Sequence, residues 1–227
     1  MVPIAIKLPN TDKQLELPEY WEKLNTLPTD PPVFSAFGYF TDQAICVATL
    51  AQLPQGHHMP QNFVQMLEYM KPALAESQGS LVDLIIDTSF TGVPYVYTIV
   101  KFPKIDEENR IVGVQYALTS HFKIDDKWYV LQGQFGEGSF TGRRDAVVTA
   151  LMMSDGKVKL SEDGELLGWF TDKYGTDDEN TMRPANLSDG TIFDEKFTEH
   201  PLSLARKLVA LFTDEHAWIP DAFFKLQ

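Results

Sequence analysis

VQYALTSHFKIDDKWYVLQGQFG, residues 114–136, decides the fold. Val114, Tyr116, Leu118, Phe122 and Ile124 alternate with Gln115, Thr119, His121 and Lys123, the two-residue period of a strand with one buried face. Ser120 is the single polar residue on the buried side. A two-residue turn at Asp125-Asp126 sets Tyr116 opposite Phe135, Leu118 opposite Gly133, Ser120 opposite Leu131 and Phe122 opposite Tyr129. The apolar set of each strand then meets that of the other. A slip of one residue would bring Gln132 and Gln134 to core positions, so the pattern itself fixes the register.

The chain on either side extends this hairpin into a sheet. Residues 34–40 and 44–51 read as a hairpin around Thr41-Asp42-Gln43, and residues 81–90 and 93–102 as another through Thr91-Gly92. Pro103 and the polar run 106–110 then lead into the 114–136 hairpin. Over 61–76, Phe63, Met66, Leu67, Met70 and Leu74 recur at helical spacing, and Pro72 predicts a kink or restart near Met70. Residues 4–8, held between Pro3 and Pro9, predict an edge strand, and 15–32, with Trp21 and Leu24 among prolines, a surface loop with one helical turn.

Downstream, 146–153 predicts a helix with Val147, Ala150 and Leu151 on its apolar face, and Asp155-Gly156 and Asp163-Gly164 bracket a short strand at 157–160. Residues 166–184 are acidic and irregular. Residues 201–212 form an amphipathic helix with Pro201 in its first turn and Leu204, Leu208 and Phe212 on its apolar side. The expected fold is α+β, an antiparallel sheet of about six strands packed with helices, over a domain at 1–153. Residues 154–227 are expected to pack on that domain as a C-terminal extension.

The formal net charge of −13 argues against nucleic acid, whose recognition draws on clustered Lys and Arg, and against anionic membrane surfaces. Cys46 is the one cysteine, so no intrachain disulfide forms, and its apolar surroundings suit a buried small residue in a reducing compartment. The opening MVPIAIKLP lacks a basic segment and a long apolar core, and the expected location is cytoplasmic.

Two clusters are candidate sites. Gly136, Gly138 and Gly142, followed by Arg143 and Arg144, lie between a strand and a helix, where backbone N–H groups and a helix N-terminus can hold an anion. The spacing G-x-G-x-x-x-G, with Glu137 inside it and no P-loop Lys-Ser pair, favours a connection whose arginines pair with carboxylates. The second cluster is a polar row: Asp83 facing Lys101 and Asp87 facing Tyr97, with Tyr95 beside them, if the turn centres on Gly92. Such a row more often forms cross-strand ion pairs.

No catalytic set emerges, since Ser139 lacks a G-x-S-x-G context and Cys46 lacks a flanking motif. His57-His58 and the acidic loop of Asp172, Asp177, Asp178 and Glu179 miss metal-ligand spacings, so neither metal nor cofactor is expected. Thr198 and His200 read as capping residues for the last helix, and Arg206 is placed to bond back to Asp189 or Asp194 and clamp the tail.

The helix QNFVQMLEYMKPAL, the strand pair LVDLIIDTSFTGVPYVYTIVKF, the 114–136 hairpin and the run TGRRDAVVTALMMS together resemble the PsbP-like fold over 34–153. That fold is shared by photosystem extrinsic subunits, by a nuclear import factor that binds the GTPase Ran, and by many bacterial proteins. The string NLSDGTIFDEKFTEHPLSLAR, 186–206, is similar to a tail recurring in bacterial proteins. The resemblance implies a non-catalytic role as a protein-binding or scaffold domain, with another protein as partner. On the residues, the surface for it is the polar row or the aromatic-rich region around Tyr95, Tyr97 and Trp128. The alternative is a small-anion or ligand-binding protein, or an enzyme, built on the glycine-rich loop 136–144.

Overall fold

The computed structural model describes residues 4–25, 34–56 and 62–220. In chain order they form β1 (Ile4–Lys7), β2 (Lys13–Leu17), β3 (Trp21–Lys23), β4 (Phe34–Phe40), β5 (Ala44–Gln52), α1 (Phe63–Ser77), β6 (Ser80–Thr88), β7 (Pro94–Ile105), β8 (Ile111–Ile124) and β9 (Lys127–Glu137). Then follow α2 (Arg143–Ser154), the two-residue strands β10 (Lys159–Leu160) and β11 (Leu166–Leu167), α3 (Pro201–Thr213) and β12 (Ile219–Pro220).

The molecule is α+β. Its main sheet is antiparallel with strand order β3-β4-β5-β9-β8-β7-β6, seven strands among the described residues. The β8–β9 hairpin has the register its alternation demands, with Tyr116 opposite Phe135 and Phe122 opposite Tyr129. Asp125 (φ 49°) and Asp126 (φ 61°) are both left-handed, as a two-residue turn matched to the strand twist requires. The β4–β5 hairpin also turns where expected.

Three expectations about where strands and helices run are corrected. Within 15–32, the described part is not a loop with a helical turn. It holds strands β2 and β3, whose Leu15, Leu17 and Trp21 are buried in the central core, while 26–32 lie outside the described residues. Helix α1 runs unbroken through Pro72, which is exposed and costs the bond that its missing N–H would have given the Glu68 carbonyl. Strand β7 continues past Pro103 because β6 ends opposite Lys101, leaving no neighbouring strand there that needs a donor.

The inward face of the sheet is sealed by α3. Phe212 stacks on Phe37 at 5.6 Å and meets Phe122 and Trp218 edge-on, and Leu202, Ala205, Leu208 and Val209 complete the contact with Leu118, Leu131 and Phe135. The small sheet β1-β2-β12 contributes Ile6, Leu15 and Leu17 to the same core. On the outward face, α1 buries Met66 and Leu74 against Leu81, Leu84 and Val96, at the β6 edge. Helix α2 presents the opposite side from the one expected: Arg144, Val148 and Met152 are buried, while Val147, Ala150 and Leu151 are exposed. A buried arginine set the phase of this helix, and reading Arg144 as a surface residue rotated the predicted face.

Candidate functional site

The polar row does not form as a row. The β6–β7 loop spans Ser89 to Val93, so the register is shifted by two residues: Asp83 lies opposite Ile99, and Asp87 opposite Tyr95. A bulge between Leu81 and Asp83 puts Val82 in the α3-side core and Leu81 in the α1-side cluster. Asp83 is buried and accepts from Arg206 Nε (2.6 Å) and Nη2 (3.1 Å), whereas Lys101 pairs with Asp189 at 3.0 Å. Asp87 is exposed and bonds the Thr88 amide. Tyr97 stacks on Tyr95 at 6.1 Å, its hydroxyl pKa raised by burial and then by the Asp83 charge.

These side chains belong to a buried ionic network that fastens the 186–206 segment to the sheet. Asp189 accepts from Lys101 Nζ, from Tyr116 Oη (3.1 Å) and from the Asn186 amide. Arg206 adds Asp194, through Nη1, and the Asp189 carbonyl to its Asp83 pair. This is the clamp that the sequence implied. Burial pulls the Arg206 pKa down, but Asp83 and Asp194 outweigh it and hold the guanidinium charged. Tyr116, fully enclosed, has its hydroxyl pKa pushed well up by burial and then by Asp189.

The glycine-rich loop delivers its donors inward. Gly136 is in the β9 ladder. Gly138 donates to the Gln43 carbonyl (3.0 Å), and a Cβ there would collide with the Asp42 carbonyl, so glycine serves close backbone approach. Gly142 (φ 71°) donates to Glu137 Oε1 at 2.8 Å, so the start of α2 already faces a carboxylate of its own chain. Arg144, 1 % exposed, gives Nε to the Ser188 carbonyl (2.7 Å), Nη1 to Asp194 and Ser203, and Nη2 to the Gly190 carbonyl. Arg143 is exposed, so the four residues do not converge on one space.

Glu137 also meets His200, whose Nε2 stands 3.8 Å from Oε1. His200 Nδ1 accepts the Leu202 amide, capping α3 as expected, which leaves the other nitrogen to carry the proton. Burial, and then the Arg144 charge, lower the His200 pKa against the opposing pull of Glu137. Cys46 is fully buried on β5, and burial alone raises its thiol pKa, so it is a packing residue. Asp172 accepts the Thr176 amide and shapes its own loop. Among the described residues no group of His, Cys, Asp or Glu is placed to hold a metal ion, and His57-His58 lie outside them. No described helix is long and apolar enough to cross a membrane.

A large open space lies on the opposite face of the sheet, where sequence reasoning placed no site. A trough of about 930 Å³ runs between α1 and the outward sides of β7, β8 and β9. Tyr69, Ala73 and Ser77 of α1 form one wall, Met66 and Met70 its base, and Val100, Ala117, Thr119, Gln132 and Gln134 belong to the floor. Among the described lining residues only Glu76 carries a formal charge. Beyond the floor the same face continues to Ile45 and Val47 on β5, both exposed. The signal available in sequence was the run of uncharged outward residues in the 114–136 hairpin, which alternation alone reads as ordinary solvent-facing positions.

No family model matches the chain, and no curated protein matches it.

Proposed function

We propose that the protein is a non-catalytic protein-binding or scaffold domain of the PsbP-like class, acting in the cytoplasm through the trough beside α1. The observation that carries this reading is the trough itself: a large open concavity, almost free of charge, on a protein of net charge −13. Depletion of charge with adaptable Met and Gln side chains is the chemistry of an interface centre. The resemblance of 34–153 to PsbP-like domains, whose best-understood members bind other proteins, supports the same reading, as the lone Cys46 supports the compartment.

The test is a photo-crosslinking residue at Gln134, on the trough floor, against one at Ile192, which is exposed on the C-terminal segment. In intact cells the Gln134 position is expected to capture a defined protein that the Ile192 position does not. Equal capture from both positions, or none from Gln134, would overturn the assignment.

A further inference from the structure

Resting on the protein-binding reading of the trough, we infer that its occupant is an amphipathic α-helix of the partner, seated beside α1 through an uncharged face. The fold builds a two-layer arrangement of helix on sheet, but on this side the helix layer is half built. α1 buries its Met66 and Leu74 at the β6 edge, and the outward sides of β7, β8 and β9 have no helix over them among the described residues.

The floor excludes an added strand. β5, β9, β8 and β7 are each hydrogen-bonded on both sides, so their backbones have nothing to offer across the face. An extended segment laid there would leave its own N–H and C=O groups facing Val100 and Ala117, at a cost of about 1–3 kcal/mol for each buried group. A helix satisfies its backbone internally and presents only side chains.

The trough, about 930 Å³, is open on one side, so an occupant seats one face and leaves the other in solvent, as an amphipathic helix does. The wall suits a neighbouring helix: Tyr69, Ala73 and Ser77 recur every four residues along one stripe of α1, and the small Ala73 and Ser77 allow close approach. Met66 and Met70 adapt to the packed side chains, and Gln132 and Gln134 give the seated face polar partners without charge.

The probe is a fluorescein-labelled, net-neutral peptide of about 18 residues, with Leu and Ala along one face and Gln and Ser along the other. Anisotropy reads its binding at physiological salt, and circular dichroism reads its helicity. It is expected to bind and gain helicity, while a scrambled peptide of the same composition binds at least about tenfold more weakly. Ala73→Arg and Gln134→Arg, both at exposed positions, are each expected to weaken binding at least about tenfold with the urea midpoint unchanged.

Equal binding of the scrambled peptide, or retention of binding by both variants, would overturn the inference. So would displacement of the peptide by palmitate, which would assign the trough to an acyl chain. Self-association of the wild-type chain that both variants abolish would assign it to a second copy. A protein captured from Gln134 in cells, with no peptide binding, would remove the helical occupant and leave the protein-binding reading standing. Capture failing while the peptide binds would remove that reading instead.

Discussion

The two faces of the main sheet carry opposite chemistries. On the inward face, charged groups are buried and nearly all of them are paired: Asp83 with Arg206, Lys101 with Asp189, Arg144 with Asp194. On the outward face, groups are exposed or half-buried and nearly all of them are neutral: Thr119, Gln132, Gln134, Ile45, Val47. The reversal separates two uses of side chains. Buried charge acts as a fastener, since each ion must reach its own partners and the tail has one seating that satisfies them all. Exposed neutrality is an unused surface, cheap to desolvate when another molecule arrives.

The largest expected effect comes from the fastener. Arg144→Ala removes four hydrogen bonds and strands the Ser188 and Gly190 carbonyls, so urea denaturation should show a loss of about 3–5 kcal/mol. Its neighbour Arg143, exposed, should lose less than about 0.5 kcal/mol on the same substitution. Equal effects would erase the distinction between buried and surface arginine in this loop. Next in size, Tyr116→Phe takes one donor from Asp189 and is expected to cost about 1.5–3 kcal/mol in the same assay.

A pH titration sharpens the comparison further. His200 is faced by Glu137, Arg144 and Asp189, and its folded pKa lies below the ordinary 6.5. The unfolded chain therefore takes up the proton first as pH falls, so this residue's contribution is complete above about 6.5 and is lost as pH drops through the folded pKa. His200→Asn, which keeps a capping side chain, should flatten the stability slope below that pH; an unchanged slope would assign it to other groups. The smallest stability effect belongs to the open face: Gln134→Arg should change the stability read by urea denaturation by less than about 0.5 kcal/mol while weakening peptide binding at the trough at least about tenfold.

What was legible in sequence follows from this division. The β8–β9 hairpin could be read to single-residue register because both of its strands alternate and a wrong register would bury Gln132 and Gln134. The β6–β7 register was missed by two residues because a five-residue loop and a bulge near Val82 leave no local signature, and around Asp83 the stretch 81–86 puts apolar residues on both sides. The clamp from Arg206 to Asp194 was visible because the partners are close in sequence. The bonds from Arg144 to Ser188 and from Lys101 to Asp189 span 44 and 88 residues and have no periodic trace. The trough escaped because alternation marks an outward residue without saying whether anything will cover it. Its shape depends on α1 standing at the β6 edge, a matter of tertiary packing.

The most direct measurement of the central claim is a methyl NMR titration of the chain with the amphipathic helical peptide. The account predicts shifts at Met66, Met70, Val100 and Ala117 on the open face, with Leu118, Leu208 and Val209 on the closed face unmoved. Shifts centred on the closed face, or none on the open one at saturating peptide, would contradict it.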